Sequence, residues 1–223
     1  MESRKSVWSK AWILSLVILL AVVPVAVYAA LTKSTTIDVI DAWQKVGPAT
    51  LVVGNADSVA SSYDAVLYVE IALDSNAQSG VDVMIEVSYA DDEWVELISF
   101  KGTAETAAAT TLNDAAATAG DTTITLTDAT TGDFDVPGRK WFIQDGTVAN
   151  SEAVRTVVNA THTVTLCQDL IRSHADSLIV TDRVDDWVIS IPMSVAYVRT
   201  LINNTDADAQ IHFTTRISKT TGL

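Results

Sequence analysis

The sequence predicts an all-β protein: an antiparallel, jelly-roll-like β-sandwich with an inserted small β domain, preceded by an apolar helix. Three observations lead there. Val81, Val83, Ile85, Val87 and Tyr89 alternate strictly with Asp82, Met84, Glu86 and Ser88, the period of a strand with one buried face. Near the C-terminus Ile211, Phe213, Thr215 and Ile217 alternate in the same way with Gln210, His212, Thr214 and Arg216. Elsewhere, short β-prone runs are separated by turn-rich pieces, with neither a heptad pattern nor an internal repeat.

The N-terminus is a leader. Arg4, Lys5 and Lys10 give a basic start, and Ala11 to Ala30 run without a charge. A basic region, an apolar region and the small-residue exit Val27-Tyr28-Ala29 make a secretory signal, with cleavage after Ala29. The run is also about 20 residues, enough to span a bilayer, and an uncleaved anchor with its basic end inside obeys the positive-inside rule. A third scheme resembles archaeal type IV pilins and archaellins. There a short basic leader is removed ahead of an apolar helix, and Ser9-Lys10-Ala11-Trp12 is the matching junction. All three schemes export the body of the protein, and any membrane contact is through the N-terminal apolar segment alone.

Beyond the leader, "TTIDVIDAW" is strand-prone, and the Gly/Asn/Ser-rich "GPATLVVGNADSVASS" separates it from the next strong strand. "YDAVLYVEIAL" is apolar on both faces and reads as a central strand. The alternating run from Val81 is followed by the acidic turn Asp91-Asp92-Glu93, and Trp94 opens its hairpin partner. After Gly102 the small, polar "TAETAAATTLNDAAATAGD" marks a boundary, its Thr content arguing against a long helix. The short strands "TTITLTD", "RKWFIQD", "EAVRTVV", "HTVTL" and "SLIVTD" follow, then the longer "DDWVISIP", "AYVRTLINN" and "AQIHFTTRI". The simplest organisation is a leader (1–29), a split sandwich (31–102 with 184–223) and an insert (103–183) at an exposed loop tip, where insertions are tolerated.

From Ala30 onward there are 27 acidic residues against 11 basic ones. Such a surface repels nucleic acid and anionic lipid and keeps an exposed protein soluble. Cys167 is the single cysteine, so no intrachain disulfide forms. It reads as a small buried hydrophobe or, more sharply, as one end of an intermolecular bridge. Gly-rich nucleotide loops, G-x-S-x-G and H-E-x-x-H are absent from the sequence. His162, His174 and His212 lack metal-ligand spacing, and His212 alternates outward as a structural histidine, exposed or partly buried. Trp43, Trp94, Trp141 and Trp187 each sit in an apolar run, which points to core packing over a sugar platform.

No cofactor is required by this pattern, and calcium is the one candidate. Asp91, Asp92 and Glu93, with Asp206 and Asp208 at a later turn, are its potential ligands, because turn carboxylates and carbonyls supply the oxygens calcium takes. Asp185-Asp186 is a further acidic turn. The plainer explanation is that these acids are solvated and discourage edge pairing. Asn159 and Asn203 begin N-glycosylation sequons.

"VDVMIEVSYADDEWVELISF", taken with "VISIPMSVAYVRTLINNTDADAQIHFTTRI", resembles a β-sandwich of phage virion proteins and is similar to discoidin-like and carbohydrate-binding sandwiches. Ser88, Asp91 and Trp94, then Ala196-Tyr197-Val198-Arg199, carry the resemblance, although Asp92-Glu93 replaces the usual turn glycine. The insert resembles small β modules of phage tails and fibres. The resemblance implies a structural or surface-binding part, and the leader moves it from a cytoplasmically assembled tail to the cell surface or outside.

The expected function is therefore that of an exported, non-enzymatic structural subunit of a filament, tube, sheath or surface layer, partnered by copies of itself. The alternative is a secreted or surface-anchored module that binds glycans or cell surfaces. Within Thr32–Lys45, Ile37, Val39 and Ile40 mark a strand able to complete a neighbour's sheet, although pairing inside its own sandwich is the simpler arrangement.

Overall fold

The computed structural model describes residues 33–74, 80–102, 104–114, 117–128, 134, 136–160 and 162–222. In chain order the strands are β1 (Lys33–Val46), β2 (Thr50–Val53), β3 (Asp57–Ser58), β4 (Ser62–Leu73), β5 (Val81–Ser88), β6 (Trp94–Lys101), β7 (Ala109–Thr111) and β8 (Thr123–Thr125). They continue with β9 (Lys140–Gln144), β10 (Glu152–Ala160), β11 (Thr163–Leu166), β12 (Ile179–Thr181), β13 (Val184–Ile191), β14 (Tyr197–Asn204) and β15 (Ile211–Gly222). Among the described residues the helical content is one 3₁₀ turn, Val148–Asn150. The apolar N-terminal helix and the cleavage point after Ala29 lie outside the described residues.

Three antiparallel sheets result. One runs β1-β15-β4-β13, and a second runs β2-β14-β5-β6 with β3 paired to β14. If β7 to β12 are set aside, β3 is taken with β2, and the rest are numbered in order, the two sheets read 1-8-3-6 and 2-7-4-5. This is the strand order of a jelly roll. The two sheets share one core: Leu67, Val69, Ile71, Ile189, Phe213 and Ile217 from the first meet Val81, Val83, Ile85, Val198 and Ile202 from the second. The period-2 apolar pattern puts them there, and β4 is interior, as its two-sided apolarity requires.

All strands of the third sheet, β7-β12-β9-β10-β11-β8, come from between β6 and β13. It curls into a half-barrel whose end strands meet: Asn113 N donates to Thr125 O at 2.9 Å and Thr127 N to Thr111 O at 2.9 Å. Leu112, Ile124, Leu126, Phe134, Trp141, Ile143, Val154, Val164 and Val180 fill a separate second core.

Several expectations change. The segment around Leu51-Val52-Val53 is a strand and no linker: β2 pairs with β14 in the register Val52↔Ile202, and Val52 packs on the main core. The small-residue stretch after Gly102 contains β7, whose partner is β12. Tyr89 leaves the buried face and is exposed. The strand ends at Ser88, whose Oγ accepts hydrogen bonds from Ala90 N and Asp91 N and turns the chain.

His212 is the largest correction, being 1% exposed. It does point away from the sandwich core, opposite Ala72 of β4. That outer face is covered there by the half-barrel: Phe142 lies 5.0 Å from the His212 ring and 4.6 Å from Trp43, centroid to centroid.

Candidate functional site

β1 is an edge strand, paired only with β15 among the described residues. Its C-terminal half is pinned by Asp41. This buried carboxylate accepts from Thr215 Oγ1 at 2.7 Å, Asn55 Nδ2 at 2.7 Å, Asn55 N at 3.1 Å and Gln44 Nε2 at 3.3 Å. The β1–β15 register shifts on both sides of Asp41, so the carboxylate satisfies the chain where a bulge interrupts the ladder.

The N-terminal half stands open. From Lys33 to Val39 the edge away from β15 pairs with no described strand, and Ile37 and Val39 are 71% and 61% exposed. Ile40 differs, for it packs on the core. Edges are usually guarded by unpaired charge or proline. Here Asp38 is neutralised, its Oδ2 lying 2.8 Å from Lys219 Nζ, which also reaches Asp57 at 2.9 Å. Burial works against the Lys219 charge, but the hydrogen bonds to Asp38 and Asp57 outweigh it and raise its pKa.

The register extends this open edge into a row. Val39 faces Arg216, Arg216 faces Tyr68, and Tyr68 faces Val188 of the opposite edge strand β13. Directly opposed residues share a face, so Val39, Tyr68 and Val188, all exposed, lie on the outer face beyond the half-barrel's cover. Val188 is 63% exposed.

Where that cover begins there is a cleft of about 460 Å³, walled by β1, β4 and β15 on one side and the half-barrel on the other. Lys140, Arg155, Arg172 and Arg216 line it, with Trp43, Cys167 and Gln168. Its acids are already engaged. Glu70 holds Lys140 at 2.6 Å and also pairs with Arg216. Glu152 is buried and accepts from Ile171 N at 2.9 Å and Arg172 N at 3.2 Å, with His174 Nε2 3.2 Å away.

The other expected residues are placed as follows. Asp91, Asp92 and Glu93 form the exposed tip of the β5–β6 hairpin, with Asp91 at φ 62°. Asp206 is spent on its own turn, accepting from Asp208 N at 2.8 Å and Ala209 N at 2.6 Å, while Asp208 is exposed. Among the described residues no group of three or more His, Cys, Asp or Glu is gathered to hold a metal. Asn203 sits half-buried on β14, opposite Leu51 and Asp82. Asn159 lies on β10, and Thr161 of its sequon lies outside the described residues.

Cys167 is exposed, not buried. It follows the end of β11, where its N–H bonds Arg155 O at 2.7 Å and its thiol reaches Thr156 O at 3.5 Å. Among the described tryptophans only Trp141 is fully buried. Trp187 stacks on Phe100, Trp43 lines the cleft, and Trp94 lies beneath the Arg199 guanidinium at 4.0 Å. The cleft was missed because its cations come from distant positions that no sequence period connects.

No family model matches the sequence, and no curated relative does. Among solved structures, a subunit of Bacillus endospore appendages described as disulfide-linked pili shares 10% identity over 87% of this chain and 95% of that one, with a TM-score of 0.34. The Gp54 tailspike of Acinetobacter baumannii bacteriophage AP22 shares 13% identity over 35% of this chain and 15% of its own, at a TM-score of 0.26. The K3 cleaved adhesin domain of Lys-gingipain from Porphyromonas gingivalis shares 11% identity over 78% and 65%, at 0.33. These are distant likenesses among β-rich proteins, and scores this low carry no argument about function.

Proposed function

We propose that the chain is an exported, non-enzymatic structural subunit, located at the cell surface or outside. In this reading, copies join by continuing the four-stranded sheet, β13 of one copy meeting β1 of the next. The observation that carries the reading is the open edge of β1, with Ile37 and Val39 exposed beside backbone that pairs with no described strand. Such an edge is a template for another strand. Strand direction supports the geometry: the order β1-β15-β4-β13 alternates antiparallel, so β13 of a translated copy arrives antiparallel to β1. The contact is heterologous and extends as an open polymer. The Val39–Tyr68–Val188 row then continues across the joint.

The test compares mature wild-type protein with Ile37→Lys and Val39→Lys, substitutions at exposed positions that put an unpaired charge on the edge. Negative-stain microscopy and sedimentation should show polymers for wild type and folded monomers for the variants. A wild type that stays monomeric at high concentration over a range of salt overturns the reading, as do variants that polymerise like wild type.

A further inference from the structure

We propose that the cleft between the β1–β15–β4 face and the half-barrel binds a carboxylate-bearing saccharide, with Arg155 and Arg172 receiving a uronic-acid carboxylate and Trp43 flanking the sugar ring. The volume, about 460 Å³, is that of a small-ligand site. The formal charge of the chain is −14, yet this cleft is lined by four cations and two acids. Both acids are consumed, Glu70 by Lys140 and Arg216 and Glu152 by two backbone N–H groups and His174. Charge is therefore left over on the cationic side.

Arg155 is exposed and its guanidinium has no partner among the described residues. Arg172 is exposed, and among the described residues its side chain bonds only the neutral Asn150 Oδ1, at 2.6 Å. Two guanidiniums held clear of carboxylates suit a planar carboxylate, which they bind through paired N–H donors. Trp43 is half-buried with Phe142 against it, and an indole wall packs against the C–H face of a sugar ring. The Gln168 amide adds a donor and an acceptor for hydroxyls. The acidity of the surface elsewhere repels an anionic sugar and confines it to this cleft.

Cys167 lines the same cleft, is exposed, and is the single cysteine of the chain, so its alkylation by neutral iodoacetamide reports occupancy. In dilute mature protein, trigalacturonate should slow Cys167 modification saturably, and less so as salt rises. Maltotriose, inorganic phosphate and sulfate should leave the rate unchanged. The double variant Arg155→Ser/Arg172→Ser should keep the circular dichroism spectrum of wild type, and its alkylation rate, compared with its own sugar-free rate because neighbouring cations tune a thiol's reactivity, should no longer fall when trigalacturonate is added. The proposal is overturned by absent protection, by equal protection from maltotriose, by protection from phosphate alone, or by protection that survives in the double variant. Protection that rises with protein concentration without sugar also overturns it, since a second copy then fills the cleft. Polymerisation is not read in this experiment, so the two proposals stand or fall separately.

Discussion

Thr215 Oγ1 donates a 2.7 Å hydrogen bond to Asp41 Oδ2, joining the last strand of the chain to the irregular middle of the first. Both residues are buried. The bond holds β1 against β15 where the register shifts, and the same carboxylate ties in the Asn55 loop. Asp41→Ala strands the Thr215 hydroxyl and the Asn55 donors, so it should cost about 3 kcal/mol. Thr215→Val, which removes one donor, should cost about 1 kcal/mol. Urea unfolding measures both, and equal costs would mean that Asp41 does not organise the bulge. Gly54→Ala should also be destabilising, because a Cβ there would sit 2.5 Å from Asp41 Oδ2 and 3.0 Å from the Thr200 carbonyl oxygen.

The buried His212 makes stability depend on acidity. Burial lowers its pKa from the ordinary 6.5 to about 4, with Asp74 opposing the shift and Lys45 adding to it. Its Nε2 has no hydrogen-bond partner among the described residues. Above pH 6.5 the group is neutral folded or unfolded, so its contribution is fully present. Between pH 6.5 and 4 the unfolded chain takes up a proton that the folded chain refuses, and stability falls by about 3 kcal/mol across that window. His212→Leu should remove this share of the pH dependence. The stability difference between wild type and variant, followed by urea unfolding from neutral to acid pH, should therefore change; a constant difference would sink the assignment.

Burial separates costly from harmless truncations within the four-stranded sheet. Phe213→Ala removes a fully buried side chain of the main core and should cost about 3–5 kcal/mol. Val188→Ala, at an exposed position of β13, should stay within about 0.5 kcal/mol. Comparable losses in chemical denaturation would mean that the row carrying Val188 is covered in the folded monomer.

Excision of residues 105–182, with a short Gly-Ser bridge, should leave a sandwich that folds cooperatively. Its core members lie outside that segment except for Ala107. The price is exposure of His212, Trp43 and the side chains around Glu70, which the half-barrel covers or binds. The shortened protein should accordingly be less stable than full-length protein and should lose the acid sensitivity traced to His212. A single sharp thermal transition is the expected result. A broad, non-cooperative one would mean that the half-barrel is required for the sandwich to fold.

How far the sequence reaches can be judged from single positions. Val81, Val83, Ile85 and Val87, with Ile211, Phe213 and Ile217, declare their inward face by alternation alone, because a strand has two faces and an apolar side chain gains only on the one away from water. Leu51-Val52-Val53 did not declare itself, since its flanking Gly, Pro and Asn dominate so short a run; pairing with β14 decided it. Tyr89 continues the alternation in sequence but not in space, because the Ser88 hydroxyl turns the chain one residue earlier. The outward row of β4 holds Val66, Tyr68, Glu70 and Ala72 at one spacing, yet Tyr68 is exposed while Glu70 and Ala72 are buried. Alternation records which way a side chain points, not what lies opposite it. Docking of the half-barrel covered His212, left Ile37, Val39 and Val188 open, and gathered Lys140, Arg155, Arg172 and Arg216 around one cleft. Those contacts join residues from separate sheets, and only the tertiary structure can bring them together.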